Sequence, residues 1–243
     1  MHTNMHQTAD PRDNQLLAIL PDSEWQRWQG EFELVELVSG QVLTDSGRSS
    51  AFVYFPVTAI VSLLCMTQEG GSAEVAVVGN DGVVGVSVFM GGSAMPSQAV
   101  VQSAGQAFRL RAQLIKDEVE RSGPMLKILL RYAQAMLAQV AQTAVCNRYH
   151  SIDQQLCRRL LLGLDRLPSD TLLMTQEVLA NLLGVRREGV TAAALKLQVA
   201  GVIRYSRGHI EVLDRPRLEH RACECYGVAK KEYFRLLPMP LAA

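Results

Sequence analysis

The chain has 243 residues, 48% of them hydrophobic, enough for one large core or, more naturally at this length, two modest ones. Its formal charge of zero conceals a division: residues 1–123 hold 7 Lys and Arg against 14 Asp and Glu, whereas residues 124–243 hold 17 against 10, so a polyanion is drawn to the second half and repelled by the first. With no run of about 18 apolar residues and no basic-then-apolar leader, the protein is expected to be neither membrane-spanning nor secreted, and hence cytoplasmic.

Residues 1–13, MHTNMHQTADPRD, are polar and without apolar period, which predicts a flexible N-terminus. Short helices are expected at Gln15–Leu20 and Glu24–Trp28. From Phe32 to Leu110 the text becomes short apolar runs separated by turn signals: ELVELV, AFVYFP, AIVSLLCM, AEVAVVGNDG and AVVQSAGQAFRL. Such β runs with Gly-rich corners predict a sandwich or jelly-roll barrel. The glycines Gly79, Gly82 and Gly85 read as barrel corners and not as a dinucleotide fingerprint, because no strand-turn-helix of the required kind follows.

Helical period returns at Ala112 and strengthens after Pro124, a residue suited to the first turn of a long helix. Leu126, Leu130, Ala133, Leu137, Val140 and Ala144 recur at alternating spacings of 4 and 3, a coiled-coil seam broadened by Leu129 and Met136. A helix of roughly 23 residues spans about 35 Å, long enough to pair two protomers. An amphipathic helix packed on its own domain has the same pattern. The next helix, Ile152–Leu167, turns Leu156, Leu160, Leu161 and Leu164 inward and is expected to show Arg158, Arg159 and Arg166 to solvent, with Pro168 and Ser169 ending it.

The segment TQEVLANLLGVRREGVTAAALKLQ, Thr175 to Gln198, reads as two short helices broken by one glycine, a helix-turn-helix. Thr175 can cap the first helix and Glu177 suits its positive first turn, while Leu179, Leu182 and Leu183 form the apolar face. Gly184 supplies the freedom the turn needs. Val185, Val190, Ala194 and Leu197 then recur at helical spacing, leaving Arg186, Arg187, Glu188, Thr191 and Ala192 around the exposed leading end, where side chains can reach base edges in a major groove. In GVIRYSRGHIEVL, Ile203, Tyr205, Ile210 and Val212 alternate about a turn at Arg207 and Gly208, which predicts a two-stranded wing with Arg204, Arg207 and His209 near its tip.

In this order the elements resemble the Crp/Fnr family of bacterial transcription regulators, from about Gln15 to the end of the chain. The strongest signature is VRREGVTAAALKLQVAGVIRYSRGHIEVL, in which Gly184, Arg187, Glu188, Val190, Leu197, Gly201, Ile203 and the turn at Gly208 sit as that family's pattern has them, and CNRYHSIDQQLCRRLL is similar to the hinge in one branch. The resemblance implies an α+β fold: a cyclic-nucleotide-binding-like β-barrel sensor over 14–123, a dimerisation helix over 124–148, and a winged helix-turn-helix domain over 149–243. It also implies a homodimeric regulator with no enzymatic activity, a pseudo-palindromic double-stranded operator, and RNA polymerase as a further partner. Carried over by position, Arg187 and Glu188 make base contacts, an arginine pairing with guanine and a glutamate accepting from cytosine N4. Ala192 departs from the nucleotide-activated members, which carry a second base-reading arginine there.

The sensor half departs further. The resemblance places GNDGVVGVSVFMGG where cyclic-nucleotide binders hold ribose and phosphate, with Val86 in place of their glutamate, and no Lys or Arg occurs from Ser49 to Phe108. A cyclic phosphate would lack a partner cation there, so cyclic AMP is disfavoured. Residues 1–64 hold no cysteine for an iron–sulfur cluster of the family type, and no histidine lies between His6 and His150 for haem or a cupin-like metal site. Glu69, Glu74 and Asp81 are too scattered to suggest an enzyme. The five cysteines, Cys65, Cys146, Cys157, Cys223 and Cys225, fit reduced thiols; Cys223 and Cys225 have only His220 as a neighbouring ligand in sequence, and Cys146 reads as a small core residue near the hinge. No cofactor or metal is therefore expected. A competing reading keeps the sensor but gives the winged domain to protein contacts.

Overall fold

The computed structural model describes residues 9–92, 94–167 and 169–237. Part of the terminus expected to be loose, residues 1–8, lies outside them. The rest of it is ordered: Asp10 caps a single 3-10 turn at Pro11–Asp13 by accepting from the Arg12 amide, and Arg12 pairs with Asp22 at 2.8 Å.

Helices α1 (Gln15–Ala18) and α2 (Asp22–Trp28) precede seven strands in the first half: β1 (Glu33–Leu37), β2 (Val42–Thr44), β3 (Phe52–Pro56), β4 (Ile60–Met66), β5 (Ser72–Val78), β6 (Ser97–Ser103) and β7 (Gly105–Arg111). They form two antiparallel sheets, ordered β1-β7-β3 and β2-β6-β4-β5. Alternate residues of each fill the space between them, Val53, Phe55, Phe108 and Leu110 from one sheet and Val61, Ala76, Val78, Ala99 and Val101 from the other. This is the sandwich expected of period-two apolar runs. One short helix was not legible as such: α3 (Val86–Phe89) follows Gly85, and Val86, Val88 and Phe89 are buried.

After α4 (Ala112–Arg121) comes the long rod α5 (Pro124–Tyr149), whose Met125, Leu129, Tyr132, Ala133 and Met136 pack into the sandwich core. Helix α6 (Ile152–Leu164) is closed at its start by a reciprocal Ser151–Gln154 capping box and ends three residues before the predicted Leu167; Pro168 lies outside the described residues. The chain continues as β8 (Thr171–Leu173), α7 (Gln176–Leu183), α8 (Arg187–Val199), β9 (Ile203–Ser206) and β10 (His209–Val212), followed by α9 (Arg215–Arg221) and α10 (Glu224–Leu236). Strand β8 adds a third member to the wing, in the order β8-β10-β9.

The expectation that Arg158, Arg159 and Arg166 face solvent is corrected: all three are buried. Arg159 Nε lies 2.6 Å from Glu74 on β5, whose other oxygen accepts from Ser62 Oγ. Arg166 grips Asp81, just beyond β5, through Nε at 2.9 Å and Nη2 at 2.6 Å. Helical period marks which side of α6 is polar but not what that side faces, and here it faces the carboxylates of the sandwich. Strand β5 is thereby shared between two cores. Ala76 and Val78 enter the sandwich, whereas Val77, with Ile60 of β4, packs among Leu156, Leu160 and Leu182 of the second half. The close approach requires a glycine, since a Cβ at Gly79 would stand 2.6 Å from Arg166 Cβ.

A buried guanidinium deprived of its carboxylate is left desolvated and unpaired. Asp81→Ala is expected to lower stability by about 3–5 kcal/mol, read as a lower urea midpoint, and Asp81→Ala with Arg166→Met to recover part of that loss.

Candidate nucleic-acid interface

The interface is built on two helices whose relative angle is fixed by one turn. Thr175 Oγ1 accepts from the Val178 amide at 3.2 Å and so caps α7. Gly184 ends α7 at φ 65°, a left-handed conformation that glycine adopts without strain. Helix α8 then buries Val190, Ala193, Ala194 and Leu197 against Leu179, Ala180 and Leu182. Its leading residues Arg186, Arg187, Glu188, Thr191 and Ala192 are exposed.

Arg187 stands beside Thr175, Gln176, Gln198, Tyr205 and Arg207, which together line one open concavity on the outer face. Two of these, Gln176 and Gln198, were not singled out in the sequence. Thr191 Oγ1 lies 2.7 Å from Gln176 Oε1, joining the starts of the two helices, and Gln198 Oε1 accepts from the Tyr205 amide at 2.8 Å, joining α8 to the wing. The Tyr205 hydroxyl donates to the Met174 carbonyl at 2.8 Å. Burial pushes this phenol up to about 12, with the Arg187 guanidinium pulling the other way, so it stays a neutral donor at pH 7.

The wing tip is a two-residue turn with Arg207 at φ 49° and Gly208 at φ 83°, a conformation that matches the twist of paired strands. It presents Arg207 and His209 to solvent. Arg204 is not at the tip: it stands opposite Glu211 in the strand pairing and forms an ion pair with it. Strand register separates Arg204 from the turn, whereas spacing alone did not.

Helix α5 presents Leu130 and Leu137, 48% and 61% exposed, with Ala144 exposed and Leu126 and Val140 half-buried. Ala133, read as part of this seam, faces the chain's own core at 5% exposure. A step of three residues falls about 60° short of a full turn, so Ala133 stands off from Leu130 toward the stripe of Leu129, Tyr132 and Met136 that packs on the sandwich.

In the sandwich, the region of Val86 holds a cavity of about 40 Å³ lined mainly by apolar side chains, among them Leu63, Val84, Met95 and Ala99. Among the described residues, the cations of the second half that pair with carboxylates of β5 and its following turn are Arg159 and Arg166, held by Glu74 and Asp81.

The cysteines near the C-terminus do find partners, contrary to the expectation from sequence. Cys146 and His150, four residues apart near the end of α5, meet Cys223 and Cys225 at the start of α10, with ligand atoms all within 4.8 Å of one another. His220, the neighbour in sequence, is exposed. The Cys146 thiol, 3.4 Å from Cys223, holds the Cys223 thiol well below its usual value, at about 5, against the effect of burial.

Residues 154–221 match the family model of the Crp-like helix-turn-helix domain. Solved structures resemble most of the chain. A Crp/Fnr-family transcriptional regulator of Thermus thermophilus is 23% identical with a TM-score of 0.63, the alignment covering 78% of this chain and 98% of that one. FixK2 of Bradyrhizobium japonicum is 15% identical with a TM-score of 0.66, covering 79% and 98%. The c-di-GMP responsive global regulator CLP of Xanthomonas campestris is 14% identical with a TM-score of 0.62, covering 79% and 99%. At these identities the likeness is one of fold. No curated protein matches the chain in sequence.

The cap rests on one side-chain oxygen, Thr175 Oγ1, and unfolding measures it. Thr175→Ala is expected to lower stability by about 1 kcal/mol, and Thr175→Ser, which keeps the accepting oxygen, to leave it nearly unchanged in denaturant unfolding.

Proposed function

We propose that the chain, whose residues 154–221 match the Crp-like helix-turn-helix domain, is a DNA-binding transcription regulator of the Crp/Fnr kind that acts as a homodimer and reads a pseudo-palindromic operator. The observation that carries this reading is the leading end of α8, where Arg186, Arg187 and Glu188 are exposed on a helix-turn-helix whose first helix is capped by Thr175. Arg187 is placed to make a bidentate contact to guanine O6 and N7, and Glu188 to accept from cytosine N4. Thr175, Thr191, Arg207 and His209 suit phosphate contacts on either side, and Ala192 suits apolar contact with a thymine methyl. Arg204, held by Glu211, contributes positive charge to the wing at most.

Leu126, Leu130, Leu137, Val140 and Ala144 form the strip through which α5 would pair with its copy. Two large apolar side chains at 48% and 61% exposure, one heptad apart on α5, support that role. Pairing places two recognition helices roughly 34 Å apart, in successive major grooves. Bound in this way, the dimer acts on RNA polymerase from the promoter in the cytoplasm. Its sensor does not take cyclic AMP: a cavity of about 40 Å³ is far below the ~300–1,000 Å³ of ligand pockets, and the phosphate would find no free cation.

Selection from a random duplex pool supplies the operator and the test. Arg187→Ala and Glu188→Ala are each expected to weaken binding to the selected site about 5- to 150-fold and to relax its sequence at one position per half-site. Affinity falls steeply with salt and is unmoved by cyclic AMP. Equal, weak binding of all sequences by all three proteins would overturn the reading.

The dimer is tested separately. Leu130→Lys with Leu137→Lys is expected to convert a dimer into a folded monomer in sedimentation, with operator affinity lost by at least about 100-fold. A wild-type protein that is monomeric both free and on duplex would remove the proposed symmetry.

A further inference from the structure

We propose that Cys146, His150, Cys223 and Cys225 bind a single zinc ion that ties the end of the α5 rod to the start of α10. The four residues come from two elements that sequence keeps far apart. Cys146 lies in the last turn of α5 and His150 follows it as the C-cap in extended conformation, its amide donating to the Cys146 carbonyl at 3.1 Å, and Cys223 and Cys225 flank the first residue of α10. The three cysteines are buried and form an apolar cluster of their own.

The donor set is chemically specific. Three thiolates and one imidazole are the ligands of a closed structural zinc site, in which bonds of about 2.3 Å to sulfur and 2.0–2.1 Å to nitrogen leave ligand atoms roughly 3.5–3.8 Å apart. Here Cys146 Sγ and Cys223 Sγ are 3.4 Å apart, Cys225 Sγ and His150 Nδ1 are 3.6 Å apart, and all four ligand atoms lie within 4.8 Å of one another. That spacing suits one tetrahedral ion and not a polynuclear iron–sulfur cluster, which distributes its ligands over several irons.

The surroundings point the same way. His150 turns Nδ1 toward the sulfurs, while its Nε2 lies 3.3 Å from Glu224 Oε1, the carboxylate–histidine arrangement that fixes a ligating imidazole. Its carbonyl accepts from the buried Gln155 side chain at 2.9 Å, which holds the bend between α5 and α6. Most telling is Arg158. Its guanidinium is buried, has no carboxylate partner among the described residues, leaves Nε without an acceptor, and lines the same small cavity as Cys146 and Gln155. Three thiolates and a neutral imidazole around Zn²⁺ carry a net charge of −1, and that charge is the counter-ion Arg158 otherwise lacks. Binding releases the thiol protons to solvent and involves no change of oxidation state.

The site is independent of DNA recognition, and so is its test. Full-length protein, purified under reducing conditions without chelator, is expected to carry about one zinc per chain by elemental analysis, as is Cys65→Ser, which alters a thiol outside the cluster. Cys146→Ser and Cys223→Ser are expected to hold roughly a tenth of that or less. Replacement of zinc by Co²⁺ in the wild type gives the intense visible bands and sulfur charge transfer of a tetrahedral thiolate site, and His150→Cys retains the metal with stronger charge transfer. Should the serine variants fail to fold, the wild-type cobalt spectrum decides alone. A wild type that takes up no zinc, a cobalt spectrum of octahedral form, or a Cys146–Cys223 disulfide in metal-free reduced-purified protein would overturn the proposal.

Discussion

The structure depends on the burial of two arginines against two carboxylates across the seam between its halves. Glu74 and Asp81 belong to β5 and the turn after it, in a half with an excess of acid; Arg159 and Arg166 belong to α6, in a half with an excess of base. Each charge is too costly to bury alone, so neither half is complete without the other. The divided charge that draws DNA to one end also supplies the pairs that hold the ends together. Apolar packing reinforces the joint, since β5 gives one face to the sandwich and the other to the core under the reader.

The joint is wider than these two pairs. Ser72 Oγ, at the start of β5, donates to the Asn181 carbonyl at 3.4 Å, and α10 returns along α5 so that Tyr233 donates to the Asp81 carbonyl at 2.7 Å. Helix α7 therefore rests on the sandwich, and the C-terminal helix reaches back to the residue that holds Arg166.

How much was legible in the sequence follows the range of the interactions involved. The helix-turn-helix was read almost residue by residue, because a cap, a glycine and a 3.6-residue period are all local: Thr175, Gly184 and Val190 do in the structure what their types suggested. The sandwich was legible as strands but not as pairings. Helix α3 was missed because four apolar residues among glycines carry too little period to distinguish a turn of helix from a barrel corner. The arginines of α6 were assigned to solvent because a polar stripe is the same text whether it faces water or Glu74. Cys146 and Cys223, 77 positions apart, share no sequence signal at all; only the return of α10 along α5 makes them neighbours.

The same rod illustrates why one helix can serve two masters. Over its 26 residues α5 spends Met125, Leu129, Tyr132 and Met136 on the sandwich, which leaves a second strip, Leu130 and Leu137, pointing away. A stripe used once would be narrower, and the sequence accordingly shows apolar residues at more than the two positions per heptad that a simple seam requires. Toward its end the helix changes character: Thr143 and Cys146 are buried, and instead of apolar packing the inward face offers a hydroxyl to Arg158 and a sulfur to Cys223. The proposed metal lies at the bend that leads from the rod into α6. A polar fastening at that point, with Gln155 donating to the His150 carbonyl, fixes the direction in which α6 leaves the rod.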